Sequence, residues 1–313
     1  MGLMELVRRK RKPPGSGPGG NGATAAAKLA RMPVLEGGPT AQVLMPLDYP
    51  PSRRLQPRWG HTHPSHPGLV ALFDKRRNDY REVIRGVRAL HPWLAAIPAQ
   101  FTSETAPEPG WVGGPITALD LAILYYFVAR SRARVYLEVG SGVSTCFARR
   151  AISDHRLPTR IVSIDPKPRA AIDRICDEVV RRGLEEADLG IFETLQPGDI
   201  LFIDGSHRSF MNSDVTVLML DVIPRLAPGV IVHLHDVTLP NDYPEMFRYW
   251  YWNEQYLLAV YLLASGDGVR VLMPSHFVQI DAELSQTLAP PIVTLPSGQE
   301  NFFYGGSLWF THQ

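Results

Sequence analysis

Short apolar runs alternate with segments of helical periodicity from residue 116 to the end of the chain. This alternation is typical of repeated βαβ units and predicts a parallel sheet. Strands are predicted at 135–139, 161–164, 200–203 and 230–234, with a weaker one at 189–192 and two late ones at 269–273 and 302–310. Helices are predicted at 116–131, 144–152, 169–182, 214–225 and 249–263. We expect a doubly wound, Rossmann-like α/β sheet, mostly parallel, with an antiparallel last strand.

The first 68 residues differ in composition from the rest, since they hold 11 prolines and 10 glycines. A packed core does not form at this content without a repeat. We interpret residues 1–44 as a disordered, basic, Pro/Gly-rich tail. Its five consecutive basic residues at 8–12 are either solvated or in contact with a polyanion or an acidic membrane surface. Apolar residues at helical spacing between 67 and 99 predict a small N-terminal helical cap. Residues 45–114 would then form the cap and linker, and 115–313 the α/β domain.

Composition excludes several classes of protein. The chain has 313 residues, 45% of them hydrophobic, and a formal net charge of +1, so no nucleic-acid partner is expected. No apolar run approaches the ~18 residues of a membrane span. Cys146 and Cys176 lie in predicted helices without metal-type spacing, and residues 1–12 lack the apolar stretch of a signal peptide. These features favour a cytoplasmic protein with reduced thiols.

Polar side chains stand at the carboxyl end of each well-defined strand. Glu138 precedes Gly140, Asp165 and Asp204 follow the next two strands, and His235 with Asp236 follows the fourth. The carboxyl ends of strands in a doubly wound sheet line one edge, where ligands bind. One such residue alone is more often a helix cap or loop residue, but four strands in register predict a single site.

The loop after the first strand predicts a nucleoside-containing cofactor. Gly140 and Gly142 permit a tight turn and a close backbone approach, and Asp165 is placed to accept the hydroxyls of a ribose. The dinucleotide fingerprint needs a third glycine or alanine where this chain has Thr145, so NAD is disfavoured. Glu138 suits a cofactor with a positive centre and an amino-acid moiety. An ordinary strand-to-helix turn is the alternative interpretation.

Four motifs together resemble class I S-adenosylmethionine-dependent methyltransferases. They are EVGSG at 138–142, SIDP at 163–166, GDILFIDGSH at 198–207 and PGVIVHLHD at 228–236. The chain is similar in particular to metal-dependent macrolide-sugar O-methyltransferases and cephalosporin-hydroxylase-like proteins, over about residues 115–312. The resemblance implies S-adenosyl-L-methionine as cofactor. The residues expected to bind it are Glu138, Gly140, Ser141, Gly142, Ser144, Thr145, Asp165 and Asp204.

The resemblance also implies a catalytic base and a metal site. His207 follows Asp204 at the Asp-x-x-His spacing of the family's base, and Asp204, His235 and Asp236 are the expected metal ligands. His235 stands where the family has a carboxylate. Oxygen ligands favour Mg²⁺ or Mn²⁺, whereas an added imidazole shifts the preference towards Mn²⁺, Fe²⁺ or Zn²⁺. Structural roles for these residues are the alternative.

The resemblance implies methyl transfer to a hydroxyl of a small molecule or a sugar. A metal-dependent hydroxylase-like enzyme on the same fold and a non-catalytic, cofactor-binding scaffold are the alternatives. Trp250, Tyr251, Trp252 and Tyr256 crowd the start of a predicted helix. They either pack in the core or stack on the acceptor, whose identity and any oligomeric state the sequence leaves open.

Overall fold

The described residues form a sheet of seven strands, which are β1 (Val135–Val139), β2 (Arg160–Ile164), β3 (Glu178–Val180), β4 (Ile200–Ile203), β5 (Ile231–His235), β6 (Val269–Pro274) and β7 (Ser307–His312). Their order across the sheet is β3-β2-β1-β4-β5-β7-β6. Strands β1 to β5 pair in parallel, and β7 runs antiparallel to both β5 and β6. The expected mostly parallel sheet with an antiparallel last strand is therefore confirmed.

The computed structural model describes residues 56–101, 107–168, 170–247, 250–293 and 304–312. All of them belong to one compact unit, Leu55–Gln313. The predicted tail at 1–44 lies outside the described residues. No helix in the described ranges combines the length and the hydrophobicity that crossing a membrane requires.

The central strands lie where the apolar runs predict them. β4 is buried at all four positions and β1 at all but its first, as in strands that are covered on both faces. The strand predicted at 189–192 is wrong, because Gly190–Glu193 forms one helical turn that begins where Asp188 accepts the N–H of Gly190. A run of four apolar or small residues fits either a buried turn or a short strand.

The helix predicted at 169–182 is also wrong. Its middle is a short 3-10 turn, Ile172–Ile175, after which the chain turns to form the edge strand β3. Asp177 fixes the start of this strand by accepting the N–H of Ile161 (2.7 Å) and an N–H of Arg149 (2.6 Å). Cys176 therefore lies between two elements and not in a helix. Both cysteines are free, and only Cys146 is fully buried.

The helices share one hydrophobic core with the sheet. The helix Ala118–Ser131 is buried along most of its length, and the helix Arg77–Ala89 turns Tyr80, Val83, Ile84 and Val87 inwards at helical spacing. The predicted helical segment after residue 67 is thus observed. The helices are α1 (Pro67–Asp74), α2 (Arg77–Ala89), α3 (His91–Leu94), α4 (Ala118–Ser131), α5 (Val143–Asp154), α6 (Gly190–Glu193), α7 (Asp214–Val217), α8 (Glu254–Ser265) and α9 (Ser275–Ile280).

Shorter helical turns complete the chain. The α7 helix continues as a π turn (Leu218–Val222) and a 3-10 turn (Ile223–Arg225), so the predicted helix at 214–225 is helical throughout. Further 3-10 turns are Leu184–Glu186, Glu245–Phe247, Gly266–Gly268 and Leu284–Leu288.

A buried aspartate aligns the amino ends of β1 and β4. Asp199 is 1% exposed and accepts the backbone N–H groups of Arg134 (2.8 Å), Val135 (3.0 Å) and Gln196 (2.9 Å). The Arg134 guanidinium supplies a further hydrogen bond at 3.0 Å. The carboxylate thus replaces ladder hydrogen bonds at the strand starts, and it sets the register that brings the strand ends together on the opposite edge.

Candidate active site at the carboxyl ends of the strands

A cavity of about 450 Å³ opens at the carboxyl ends of β1, β2 and β4. Its volume is within the range of small-molecule and cofactor sites. Phe101, Pro115, Ile116 and Leu184 contribute apolar walls, and Lys167 contributes a cation. Six of the eight residues predicted to bind the cofactor line it, namely Gly140, Ser141, Gly142, Ser144, Asp165 and Asp204.

Two glycines of the loop after β1 lack a side chain for different reasons. Gly140 has φ +80°, and a Cβ there would lie 1.9 Å from the backbone oxygen of Asp204. The loop therefore touches the main chain that leaves β4. A Cβ on Gly142 would meet no atom within 4 Å, because this residue faces the open cavity. Gly140 is required by the protein's own backbone, whereas Gly142 leaves space for a ligand.

Asp165 is held rigidly at the end of β2. One carboxylate oxygen accepts the Ser141 N–H at 2.8 Å and the Ser141 hydroxyl at 3.0 Å, and the other accepts the Lys167 N–H at 2.7 Å. These bonds tie the loop after β1 to the loop after β2. The carboxylate lines the cavity with its remaining lone pairs, which suits hydrogen bonding to a diol such as that of a ribose.

Glu138 and Thr145 lie beneath the cavity and do not line it. The Glu138 side chain is fully buried and accepts hydrogen bonds from Tyr136 (3.2 Å), Ser144 (3.1 Å) and the Thr145 hydroxyl. Burial raises the pKa of Glu138 to about 8, although these three hydroxyl groups act to lower it. The structure thus places Glu138 as an anchor between β1 and the first turn of α5, with Ser144 and Thr145 oriented by it.

A second group of polar side chains adjoins the cavity at Asp204. The Nε2 atom of His207 lies 3.4 Å from Oδ1 of Asp204 and 3.2 Å from Oδ2 of Asp236. One donor atom from each residue falls within 4.8 Å of the other two. His207 and Asp236 both have left-handed backbone, with φ of +61° and +53°. These turns after β4 and β5 direct the imidazole between the two carboxylates.

Glu254 closes this group from behind. Its Oε2 atom lies 3.0 Å from Nδ1 of His207, and its side chain is almost completely buried at the start of α8. Burial alone would lower the pKa of His207, but the hydrogen bonds to Asp204 and Glu254 outweigh it and raise that pKa well above its ordinary value. Burial also raises the pKa of Glu254 and of Asp236. Sequence reasoning missed this role of Glu254, which lies 47 residues from His207 along the chain.

His235, a predicted metal ligand, lies at the edge of this group. Its Nε2 atom is 4.0 Å from Oδ1 of Asp236, and its Nδ1 atom is buried without a hydrogen-bond partner in the described structure. The structure brings His207 rather than His235 together with both carboxylates. Neighbouring His233 stacks on Phe202 at 4.0 Å within the core.

Asp204 and Asp236 could hold a divalent cation beside His207. Three carboxyl groups, those of Asp204, Asp236 and Glu254, surround the imidazole of His207. The contact of Nδ1 with Glu254 fixes the orientation of the ring and leaves Nε2 facing the other two carboxyl groups. The ligand atoms that face one another are two carboxylate oxygens and Nε2 of His207.

Comparison with known proteins identifies the domain. Residues 137–237 match the sequence profile of a family described as a methyltransferase domain. A search of curated proteins finds no match. Among solved structures, the chain is similar to an SAH-bound methyltransferase from Podospora anserina, at 17% identity over 63% of this chain and 80% of that one, with a TM-score of 0.39.

Two further solved structures are similar to the chain. A cofactor-bound protein from MTB has 16% identity over 67% of this chain and 90% of that one, with a TM-score of 0.34. A Plasmodium falciparum protein, described as a protein-L-isoaspartate O-methyltransferase in complex with S-adenosyl-L-homocysteine, has 13% identity over 55% and 84%, with a TM-score of 0.29.

The family match contains both parts of the site. It begins within β1, includes the Gly140 loop, Asp165, Asp204 and His207, and ends directly after Asp236. The narrower resemblance to macrolide-sugar O-methyltransferases stays a prediction. Residues 137–237 therefore belong to a methyltransferase domain, and the strand order β3-β2-β1-β4-β5-β7-β6 is the Rossmann-like arrangement expected from the resemblance to class I S-adenosylmethionine-dependent methyltransferases.

Proposed function

We propose that this protein transfers the methyl group of S-adenosylmethionine to a hydroxyl of a small molecule or sugar, with His207 as the base. The observation that carries the proposal is the position of His207 beside Asp204. Asp204 lines the cofactor cavity and also lies 3.4 Å from the His207 imidazole. The cavity proposed for the methyl donor and the proposed base therefore share Asp204 as a neighbour, and we place the acceptor hydroxyl between them.

The cavity residues have distinct roles in holding the cofactor. Gly142 lets the ligand approach the main chain, Gly140 lets the loop pack against the main chain of Asp204, and Asp165 accepts hydrogen bonds from the ribose. Ser144 lies in the first turn of α5. When bound, the cofactor supplies an electrophilic methyl group on a sulfonium centre. Glu138 supports the cavity from below through Ser144.

His207 is placed to accept the proton of the acceptor. As the new C–O bond forms and the C–S bond breaks, the hydroxyl proton passes to Nε2, and Glu254 stabilises the resulting imidazolium through Nδ1. General-base assistance contributes typically 10²–10⁴-fold, and positioning of the reactants contributes more. To act as a base, His207 must begin without a proton on Nε2.

Our proposal includes a divalent cation at Asp204 and Asp236, with His207 as the nearest imidazole. A cation there would supply positive charge that lowers the pKa of the acceptor hydroxyl. It would also offset the carboxylates that favour protonated His207. Because Nε2 of His207 is needed to accept the proton, the protein ligands would be the two carboxylates, and oxygen ligands of this kind suit Mg²⁺ or Mn²⁺.

Cofactor titration and a single substitution test the reaction. We expect calorimetry to detect binding of S-adenosylmethionine and S-adenosylhomocysteine but not of NAD⁺. With an acceptor found by screening for labelled-methyl transfer, His207→Gln should lower kcat by roughly 10²–10⁴-fold and leave cofactor affinity unchanged. His63→Gln, at an exposed histidine, is the matched control. Binding of NAD⁺ alone, or full activity of H207Q, would refute the proposal.

A thermal-shift experiment with metal ions tests the cation separately. Mn²⁺ should raise the melting temperature of the wild-type protein and leave that of Asp236→Asn unchanged. Asparagine tolerates the left-handed backbone at this position, so the variant removes the charge without straining the chain. Equal shifts for both proteins, or activity that is unaffected by exhaustive chelation, would restrict Asp204 and Asp236 to hydrogen bonding.

A further inference from the structure

A cluster of aromatic side chains contacts the His207 imidazole through one of its members, Trp252. The Trp252 ring lies 4.4 Å from the His207 ring, and it lies 4.8 Å from both Phe247 and Trp250. Phe247 and Trp250 stack on each other at 4.8 Å with their planes 16° apart. We call Phe247, Trp250 and Trp252 the aromatic platform. It extends from the proposed base towards the surface.

Hydrogen bonds fasten the platform to the turn that carries the base. The carbonyl of His207 accepts the N–H of Asn253 at 2.9 Å, and the Asn253 side chain accepts the N–H of Ser209 at 2.7 Å. The Arg208 guanidinium donates to the carbonyl of Trp250 at 2.7 Å. The position of the platform relative to His207 is therefore fixed by the fold.

The outer part of the platform is not core packing. Trp250 is 45% exposed and adjacent Tyr251 is 50% exposed, although both are large aromatic residues. Single exposed apolar residues are ordinary, but a contiguous exposed group beside a reaction centre marks a binding surface. Exposed tryptophan binds flat rings through stacking and apolar contact.

We propose that the methyl acceptor carries its hydroxyl on an aromatic ring, and that this ring stacks on the aromatic platform beside His207. This inference rests on the proposed function. It narrows the possible acceptors from small molecules and sugars in general to compounds with a hydroxyl on an aromatic ring.

Hydrogen-bonding capacity favours an aromatic ring over a sugar. Among the described side chains of the platform, the only polar atoms are the two indole N–H groups, and the side chains of Arg208 and Asn253 are already engaged by the protein. A sugar would bring several hydroxyls to a surface whose side chains offer them few hydrogen-bond partners. An aromatic ring requires a partner only for the hydroxyl that reacts.

Acidity favours the same class. A phenolic hydroxyl has a pKa of about 10, far below that of an aliphatic alcohol. An imidazole therefore removes its proton at a much smaller energetic cost. Methylation then proceeds as above, with the proton on His207, the methyl group on the phenolic oxygen and neutral S-adenosylhomocysteine released.

Binding of catechol to the protein saturated with S-adenosylhomocysteine tests the inference. We expect calorimetry to detect binding of catechol but not of methyl glucoside. When S-adenosylmethionine is supplied, we expect transfer of its labelled methyl group to catechol. Trp250→Ala should raise the Kd of catechol by roughly tenfold, as expected for one lost stacking contact. The Kd of S-adenosylhomocysteine should not change.

Trp93→Ala is the matched control, since Trp93 is 38% exposed and contacts His155 instead of the site. If W250A fails to fold, Trp250→Leu carries the same test with more of the apolar volume retained. Binding of methyl glucoside without catechol, or wild-type catechol affinity in both Trp250 variants, would overturn the aromatic acceptor. Failure of S-adenosylmethionine to bind would instead refute the proposed function, and the cofactor titration separates the two results.

Discussion

Substitution of the two loop glycines by alanine should separate folding from cofactor binding. At Gly140, alanine must adopt φ near +80°, which costs about 1–2 kcal/mol for a residue with a Cβ. Its Cβ would also lie 1.9 Å from the backbone oxygen of Asp204, which cannot rotate away as a side chain would. Separating the two main chains adds roughly 1–3 kcal/mol, the usual cost of overpacking.

The expected loss for Gly140→Ala is therefore about 2–5 kcal/mol, by addition of these two terms. In a domain of this size, 1 kcal/mol lowers the melting temperature by about 2–4 °C, so a decrease of roughly 4–20 °C is expected. Gly142→Ala should melt closer to the wild type than Gly140→Ala does, because its Cβ would meet no atom within 4 Å.

Differential scanning calorimetry and titration with S-adenosylhomocysteine measure the two effects. Gly142→Ala should weaken binding by roughly tenfold or more, because the added methyl group occupies cavity space and overpacking a site costs about 1–3 kcal/mol. A G140A protein as stable as the wild type would refute the contact between the loop and Asp204. A G142A protein with unchanged cofactor affinity would show that the ligand does not approach this loop.

Three further substitutions test other parts of the fold and site. Burial raises the pKa of Glu138 from 4.5 to about 8, so the unfolded chain loses this proton at a lower pH than the folded protein does. The free energy of unfolding should therefore fall as the pH rises between these values, by up to roughly 1.4 kcal/mol per pH unit. Urea melts of Glu138→Gln should lack this pH dependence, and an identical dependence in the variant would contradict the buried carboxyl. Asp199→Ala should lower the free energy of unfolding, measured in urea, by roughly 2–4 kcal/mol, because it leaves buried N–H groups unpaired. A change below about 0.5 kcal/mol would mean that water replaces the carboxylate. Asp165→Asn should weaken the binding of S-adenosylhomocysteine by roughly 10–100-fold in calorimetry. Asp188→Asn, at an exposed aspartate, is the control. Equal affinities in the Asp165 variant and the wild type would show that Asp165 does not bind the ribose.

The sheet could be predicted where strands are buried on both faces. Parallel strands such as β4 are uninterrupted apolar runs, and that pattern is visible in sequence. β3 was missed because it has only three residues, lies at the edge and is half-buried, so its composition does not differ from that of a helix. The register of such a strand depends on contacts like that of Asp177 with Ile161, which sequence spacing does not reveal.

The location of the site could be predicted from the sequence, but the contacts among its side chains could not. Parallel topology alone places Asp165 and Asp204 at one edge. By contrast, the burial of Glu138 depends on three hydroxyl partners, and the selection of His207 over His235 depends on a left-handed turn and on Glu254. These are contacts between distant parts of the chain, for which the sequence carries no local signal.

The hydrogen bonds between the His207 turn and the start of α8 have a consequence for how substrate reaches the enzyme. If residues 250–254 swung outwards to admit an acceptor, the bonds of Asn253 to His207 and Ser209 would break, and the imidazole would lose its alignment. We therefore expect an acceptor to enter along the exposed edge of Trp250 while the segment stays closed. Amide hydrogen exchange at Ser209 and Asn253 should accordingly be slow with or without ligand, as in an enzyme whose turnover is not limited by the opening of a segment.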